Sequence, residues 1–147
     1  MSDIGVSRLH VSLIGVRHEP DTLKSALRTT YALQPRKVGL ELPPDYKTSG
    51  KLNYFEVLAR EFRNRQISVV PLDSVVLREQ ARRIIYGHVS GMVSEFEIHA
   101  KRSEHMAEVV LKEAVPVVVV GTLHAADMLE MLPCSTFVHL LRDNSSI

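Results

Sequence analysis

Apolar residues fall in short unbroken runs, separated by stretches in which they recur every three or four positions. Leu9 to Ile14 is partly β-branched and ends at Gly15, which predicts a first strand. Pro20-Asp21-Thr22 offers a helix start with Asp21 as N-cap. Leu23, Ala26, Leu27 and Tyr31 then recur at helical spacing, and Pro35 stops that helix. Lys37 to Leu42 predicts a second strand. The stretch from Pro43 to Gly50 reads as a loop. Leu52, Phe55, Leu58, Ala59 and Phe62 mark the next helix, and Ile67 to Leu72 a third strand ending at Asp73. Val75 to Tyr86 predicts a basic helix, with Arg78, Arg82 and Arg83 on a solvated face offset by nearby acids. Gly87 to Gly91 is a flexible break. Ser94-Glu95-Phe96-Glu97 matches a capping box and opens a long helix towards Glu113. Val115 to Val120 is a fourth strand, Thr122 to Leu132 a short helix ended by Pro133, and Ser135 to Leu141 a last strand.

Strands alternating with helices predict a three-layer α/β domain, its mainly parallel sheet flanked by helices. A chain of 147 residues fits one such domain, covering 1–141, with 142–147 a frayed polar tail. Apolar residues at 45% and charged residues at 24% fit an ordinary globular protein. A formal net charge of +1 and 5% aromatics argue against a nucleic-acid partner. The single cysteine, Cys134, excludes an internal disulfide and a cysteine-based zinc cage, and it fits a reducing cytoplasm. No signal peptide is expected, since Asp3 and Arg8 precede any apolar stretch. The longest apolar run, Ala114 to Val120, contains Pro116 and falls well short of the roughly 20 residues that span a bilayer. A cytoplasmic chain without a membrane segment is the expectation.

Ligands of open parallel sheets bind beyond the carboxyl ends of the strands. The first four predicted strands are followed there by His18, Glu41, Asp73 and His124. Both histidines sit in a Gly-x-x-His, at Gly15 to His18 and Gly121 to His124. Glycine lets the chain turn sharply off the strand and leaves room beside the backbone. Two imidazoles and a carboxylate are the minimal ligand set of many catalytic metal sites. With a divalent ion (zinc, manganese or iron), His18 and His124 would supply nitrogens and Glu41 an oxygen. The bound water would then attack a carbonyl. Glu19 or Asp73 would serve as general base or would orient a ligand. Without metal, the same histidines act as acid and base on an ester. The residues leave both open.

Other candidates are weaker. Gly87-His88-Val89-Ser90-Gly91 places its serine one position late for a nucleophile elbow and reads better as a mobile flap. His99, Arg102 and Met106 share one face of the long helix, and His99 and His105 read as ordinary polar positions. His10 and His139 read as structural, and Cys134 as a small buried residue. No phosphate loop or dinucleotide fingerprint is present, so no nucleotide cofactor is expected.

Four segments in order resemble the TraB/Tiki superfamily, which includes pheromone-shutdown and GumN-like proteins. They are Leu13 to His18, Val38 to Leu42, Arg102 to Met106 and Val118 to His124. The resemblance implies a metal-dependent hydrolase fold, and Tiki members are membrane-tethered metalloproteases. His18, Glu41 and His124 correspond to the metal or catalytic residues. Arg102 matches an arginine that recurs before the last motif, as an anion clamp or structural pair. Arg17 and Glu19 depart from the family pattern, where many members carry threonine and small or hydroxyl residues. Arg17 brings a cation near the site, which favours an anionic substrate or marks a changed activity. The short chain also lacks the membrane segments of many members, and related folds host esterase-like and haem-binding proteins. The expectation is a metal-dependent hydrolase acting on a small molecule or peptide. The alternative is a non-catalytic ligand-binding or regulatory module of the same fold, acting as a homodimer.

Overall fold

The computed structural model describes residues 9–85, 95–133 and 135–140. Its strands are β1 (Val11–Val16), β2 (Lys37–Leu40), β3 (Ser68–Pro71), β4 (Val117–Gly121) and β5 (Ser135–His139). They form one all-parallel sheet in the order β3-β2-β4-β1-β5. The helices are α1 (Leu23–Ala32), α2 (Tyr54–Asn64), α3 (Val75–Ile85), α4 (Glu95–Glu113) and α5 (Thr122–Met131).

Central β4 reads Val-Val-Val-Val-Gly and is buried at every position. A strand covered on both faces needs no apolar-polar alternation. Val117 and Val119 pack with Ala26, Phe55, Leu58 and Phe62, which come from α1 and α2. Val118 and Val120 pack with Met106, Val110, Ala125 and Met128, which come from α4 and α5. The sheet is therefore the middle of three layers, as its pattern of runs predicts.

The chain leaves β1 for one face through α1 and leaves β4 for the other through α5. Since β1 and β4 are neighbours, their carboxyl ends flank a topological switch point, where such sheets open a crevice.

Local chemistry moves several predicted boundaries. β1 runs through Gly15 to Val16, and β2 stops at Leu40, so Glu41 is the first residue past its strand. Asp21 is not a helix cap: Pro20–Thr22 is a single 3₁₀ turn, and Thr22 stands at the N-cap of α1 without a side-chain cap bond. The Thr22 hydroxyl instead turns back to the Arg17 and Glu19 carbonyls, at 3.0 and 3.1 Å. α2 starts with a capping box that the apolar stripe did not reveal. Asn53 accepts from Glu56 N, and the Glu56 carboxylate accepts from Asn53 N. The predicted cap at Ser94, the break at Gly87 to Gly91, Cys134 and the tail from 142 lie outside the described residues. Among the described residues, no helix is long and apolar enough to cross a membrane.

Gly15 serves packing. A Cβ there would lie 2.6 Å from Phe137 Cε1 and 3.2 Å from the Thr122 Cα. Gly15→Ala is expected to lower stability by about 1–3 kcal/mol through overpacking, with partial recovery on adding Phe137→Leu. Urea unfolding of the three proteins checks this. A single variant as stable as wild type would show that the ring is free to move aside.

Candidate functional site

Four of the five strand ends, those of β1 to β4, each contribute one side chain to a cluster at the crevice, and the chain segments that follow fix its direction. After β1, Thr22 anchors the 17–22 segment, and its hydroxyl also meets Tyr54 Oη at 2.8 Å. The imidazole of His18 then packs edge-on to Phe55, at 4.9 Å between ring centres, with Tyr54 beyond it at 6.4 Å. The capping box at Asn53 places both aromatic rings at the first turn of α2.

After β2, Glu41 lies only 5% exposed. Its Oε1 accepts from the backbone N–H of Gly121 at 2.8 Å, at the start of α5. A helix N-terminus is a favourable place for a carboxylate. Its Oε2 accepts from Arg102 Nη2 at 3.3 Å. The two imidazoles face opposite oxygens of this one group. His18 Nε2 is 3.8 Å from Oε1, and His124 Nε2 is 3.9 Å from Oε2.

Gly121 makes this arrangement possible. A Cβ at that position would lie 2.8 Å from His18 Nε2 and 3.2 Å from Glu41 Oε1. Its backbone is extended, with φ −57° and ψ 148°. Of the two uses expected of the glycine in the second Gly-x-x-His, it supplies the room beside the backbone and not the sharp turn.

After β3, Asp73 is buried, and its oxygens are taken up by Arg102 at 2.7 and 3.3 Å and by Ser74 N at 2.9 Å. Burial alone would lower the pKa of Arg102. The hydrogen bond and charge of Asp73, then Glu41, outweigh it and hold the guanidinium above its ordinary value. Arg102 thus ties the ends of β2 and β3 to α4.

After β4, His124 falls in the first turn of α5 and is 4% exposed. Burial, and then His99, Arg102 and His18 around it, lower its pKa to about 2. Its Nδ1 lies 2.8 Å from Ser103 Oγ, whose hydroxyl reaches Asp127 Oδ2 at 3.0 Å. The ring of His99 stacks on that of His124 at 3.8 Å with 11° between planes. His99 Nε2 is 3.4 Å from Asp127 Oδ2 but out of line with it, and it is buried without a hydrogen-bond partner. His99 is therefore no ordinary polar position of α4.

Among the anticipated residues, His18, Glu41, Asp73, Arg102 and His124 come together as one connected cluster. Glu19 does not join it. Its carboxylate is gripped by Arg17 at 2.7 and 2.8 Å, and both side chains are about half exposed. Arg17 accordingly does not put its cation into the crevice. The cavity beside the cluster holds about 410 Å³ and is lined by His18, Glu41, Tyr54, Phe55, Arg78 and Arg102, among others. Arg82 also lines it, while pairing with Glu79 at 2.8 and 3.0 Å. The basic face of α3 therefore borders the site as well as solvent. Sequence reasoning missed Tyr54, Ser103 and Asp127. The only signal was spacing: His99 and Ser103 on α4, and His124 and Asp127 on α5, each fall on one helix face.

A divalent cation meets a mixed fit. A neutral, buried imidazole with its other nitrogen held by a partner is a good metal ligand. Each imidazole–carboxylate pair also falls within the roughly 4.2 Å that two ligands of one ion can span. The pairs use different carboxylate oxygens, however, and among the described residues no three such donors converge to hold an ion.

The chain matches no family model, no curated protein and no solved structure.

The buried imidazole makes the fold acid-sensitive. Unfolded, it would take up a proton near pH 6.5, whereas folded it stays neutral down to about pH 2. Its contribution is constant above pH 6.5 and is lost below it, at about 1.4 kcal/mol per pH unit. In urea titrations of the metal-free protein, wild type should lose about 2 kcal/mol more than His124→Gln between pH 6.5 and 4.5. Equal losses would mean that His124 accepts a proton in the folded state.

Proposed function

We propose that this chain is a hydrolase of the TraB/Tiki kind, cleaving a peptide or ester bond with His18, Glu41 and His124 as its working groups. The supporting observation is that imidazoles from two different strand ends face the two oxygens of one buried carboxylate, at 3.8 and 3.9 Å. Packing alone does not call for two histidines and an acid at a switch point beside an open cavity.

A divalent cation (zinc, manganese or iron) would be held by His18, Glu41 and His124 only once these side chains close on one point, and when bound it would supply an activated water and polarise the scissile carbonyl. The protein's own groups do the remaining work. His124, kept neutral by its burial, offers a nitrogen lone pair. Glu41, held by Gly121 N–H and Arg102, keeps its charge between the two imidazoles. Without a cation, His18, on the open side against Phe55 and Tyr54, takes the proton from the attacking water and returns it to the leaving group. Asp73 holds Arg102 in place, and Glu19 takes no part. Arg78 lines the cavity with its Nη1 3.8 Å from Asp73 Oδ2, too far for a hydrogen bond, and suits an acidic group on the substrate. A reducing cytoplasm suits the single cysteine.

One observation favours a non-catalytic ligand-binding module instead. Both Glu41 oxygens already have partners within the protein.

The two are separated by incubating purified wild type and a His18→Ala/His124→Ala variant with zinc, manganese or iron(II), dialysing, and measuring bound metal and turnover of peptide and ester substrates. Wild type should retain about one ion per chain and the variant almost none, with hydrolysis down by about 100-fold or more. Equally little metal and no difference in turnover would remove the hydrolase, and a small molecule bound without turnover would establish the module.

A further inference from the structure

The structure assigns Ser103 and Asp127 a role beyond packing: we infer that they are positioning residues that lock His124 as its Nδ1–H tautomer and leave Nε2 bare. The assignment follows from counting protons. Ser103 Oγ lies between two groups, Asp127 Oδ2 at 3.0 Å and His124 Nδ1 at 2.8 Å. A hydroxyl has one hydrogen to donate, and a carboxylate only accepts. If the hydrogen pointed at Nδ1, the Ser103 oxygen would set its lone pairs against the Asp127 carboxylate at 3.0 Å. Pointing it at Asp127 removes that repulsion, and the Ser103 oxygen must then accept, so Nδ1 must carry the proton. A neutral imidazole has one N–H, so Nε2 is left as a lone pair. That nitrogen faces Glu41 Oε2 at 3.9 Å.

The relay is built into the packing of two helices. Ser103 is fully buried on α4, where it meets α5. Asp127 lies one turn along α5 from His124, so the pair reaches the same hydroxyl from the same helix. His99, one turn before Ser103, stacks on the ring of His124 and covers that face of it. Sequence spacing carries the relay, but only the α4–α5 contact brings the two halves together.

A bare Nε2 is what either chemistry at this site needs, whether as a proton acceptor or as a ligand to a cation. The catalytic part of the inference rests on the hydrolase reading; the tautomer itself does not.

The test is a long-range ¹H–¹⁵N spectrum of metal-free protein labelled at histidine, with His124 assigned from the signals that vanish in His124→Gln. The proton should sit on Nδ1 in wild type and in Ser103→Thr, which keeps the hydroxyl. In Asp127→Asn, whose amide can donate to the hydroxyl, and in Ser103→Ala, the proton should move to Nε2 in a large share of molecules. Asp127 is partly exposed, so its variant carries the test even where Ser103→Ala folds poorly. In the hydrolase, kcat should fall about 10- to 100-fold in Asp127→Asn with KM little changed. A wild-type proton on Nε2, or an unchanged tautomer in Asp127→Asn, overturns the assignment. The predicted tautomer shifts in a protein without hydrolytic turnover would uphold the relay and remove the hydrolase reading alone.

Discussion

Glu41 brings a carboxylate out of water at the end of β2, and the site is arranged around that charge. Taking an ion into a protein interior costs several kcal/mol unless hydrogen bonds and an opposite charge compensate. Here compensation comes from two parts of the chain remote in sequence. The Gly121 N–H binds one oxygen at the start of α5, and Arg102 of α4 approaches the other. Arg102 in turn neutralises Asp73 at the end of β3. One buried charge therefore links three strand ends and two helices. It also explains why the position beside it is glycine: any side chain at 121 would displace the imidazole of His18 or the carboxylate.

The same constraint sets the electrostatics of His124. Its neighbours include the Arg102 cation that Glu41 and Asp73 hold in place, and burial removes the water that would stabilise an imidazolium. The imidazole stays neutral, its Nδ1 meets Ser103, and its other nitrogen turns towards Glu41. Structure and chemistry are not separable in this cluster. The bonds that hold the sheet ends together also set which atoms remain available to a ligand.

Much of the fold was legible because its signals are local. A run of four valines between polar segments can be little other than a central parallel strand, and the alternation with helices follows from it. The strand-end positions of His18, Glu41, Asp73 and His124 were legible for the same reason. Glu19 was misjudged because adjacency in sequence says nothing about direction: Arg17, two residues away, captures its carboxylate in the exposed turn. Asp21 was misjudged because a proline-led 3₁₀ turn shifts the start of α1 beyond it. Ser103, Asp127 and the true setting of His99 were illegible because they depend on how α4 packs on α5, a contact between segments that share no pattern. Tyr54 came into view only through the capping box that turns it towards His18. The proposal of hydrolysis draws on the resemblance noted in the sequence, whose four segments contain the residues of the cluster apart from Asp73.

Whether the two imidazoles and Glu41 act together on one cation is answered most directly by anomalous diffraction from crystals soaked in manganese or zinc. A strong peak in the space bounded by His18 Nε2, the Glu41 carboxylate and His124 Nε2 is expected. A map without a peak there, from a crystal that carries the metal at other positions, would contradict a shared metal site.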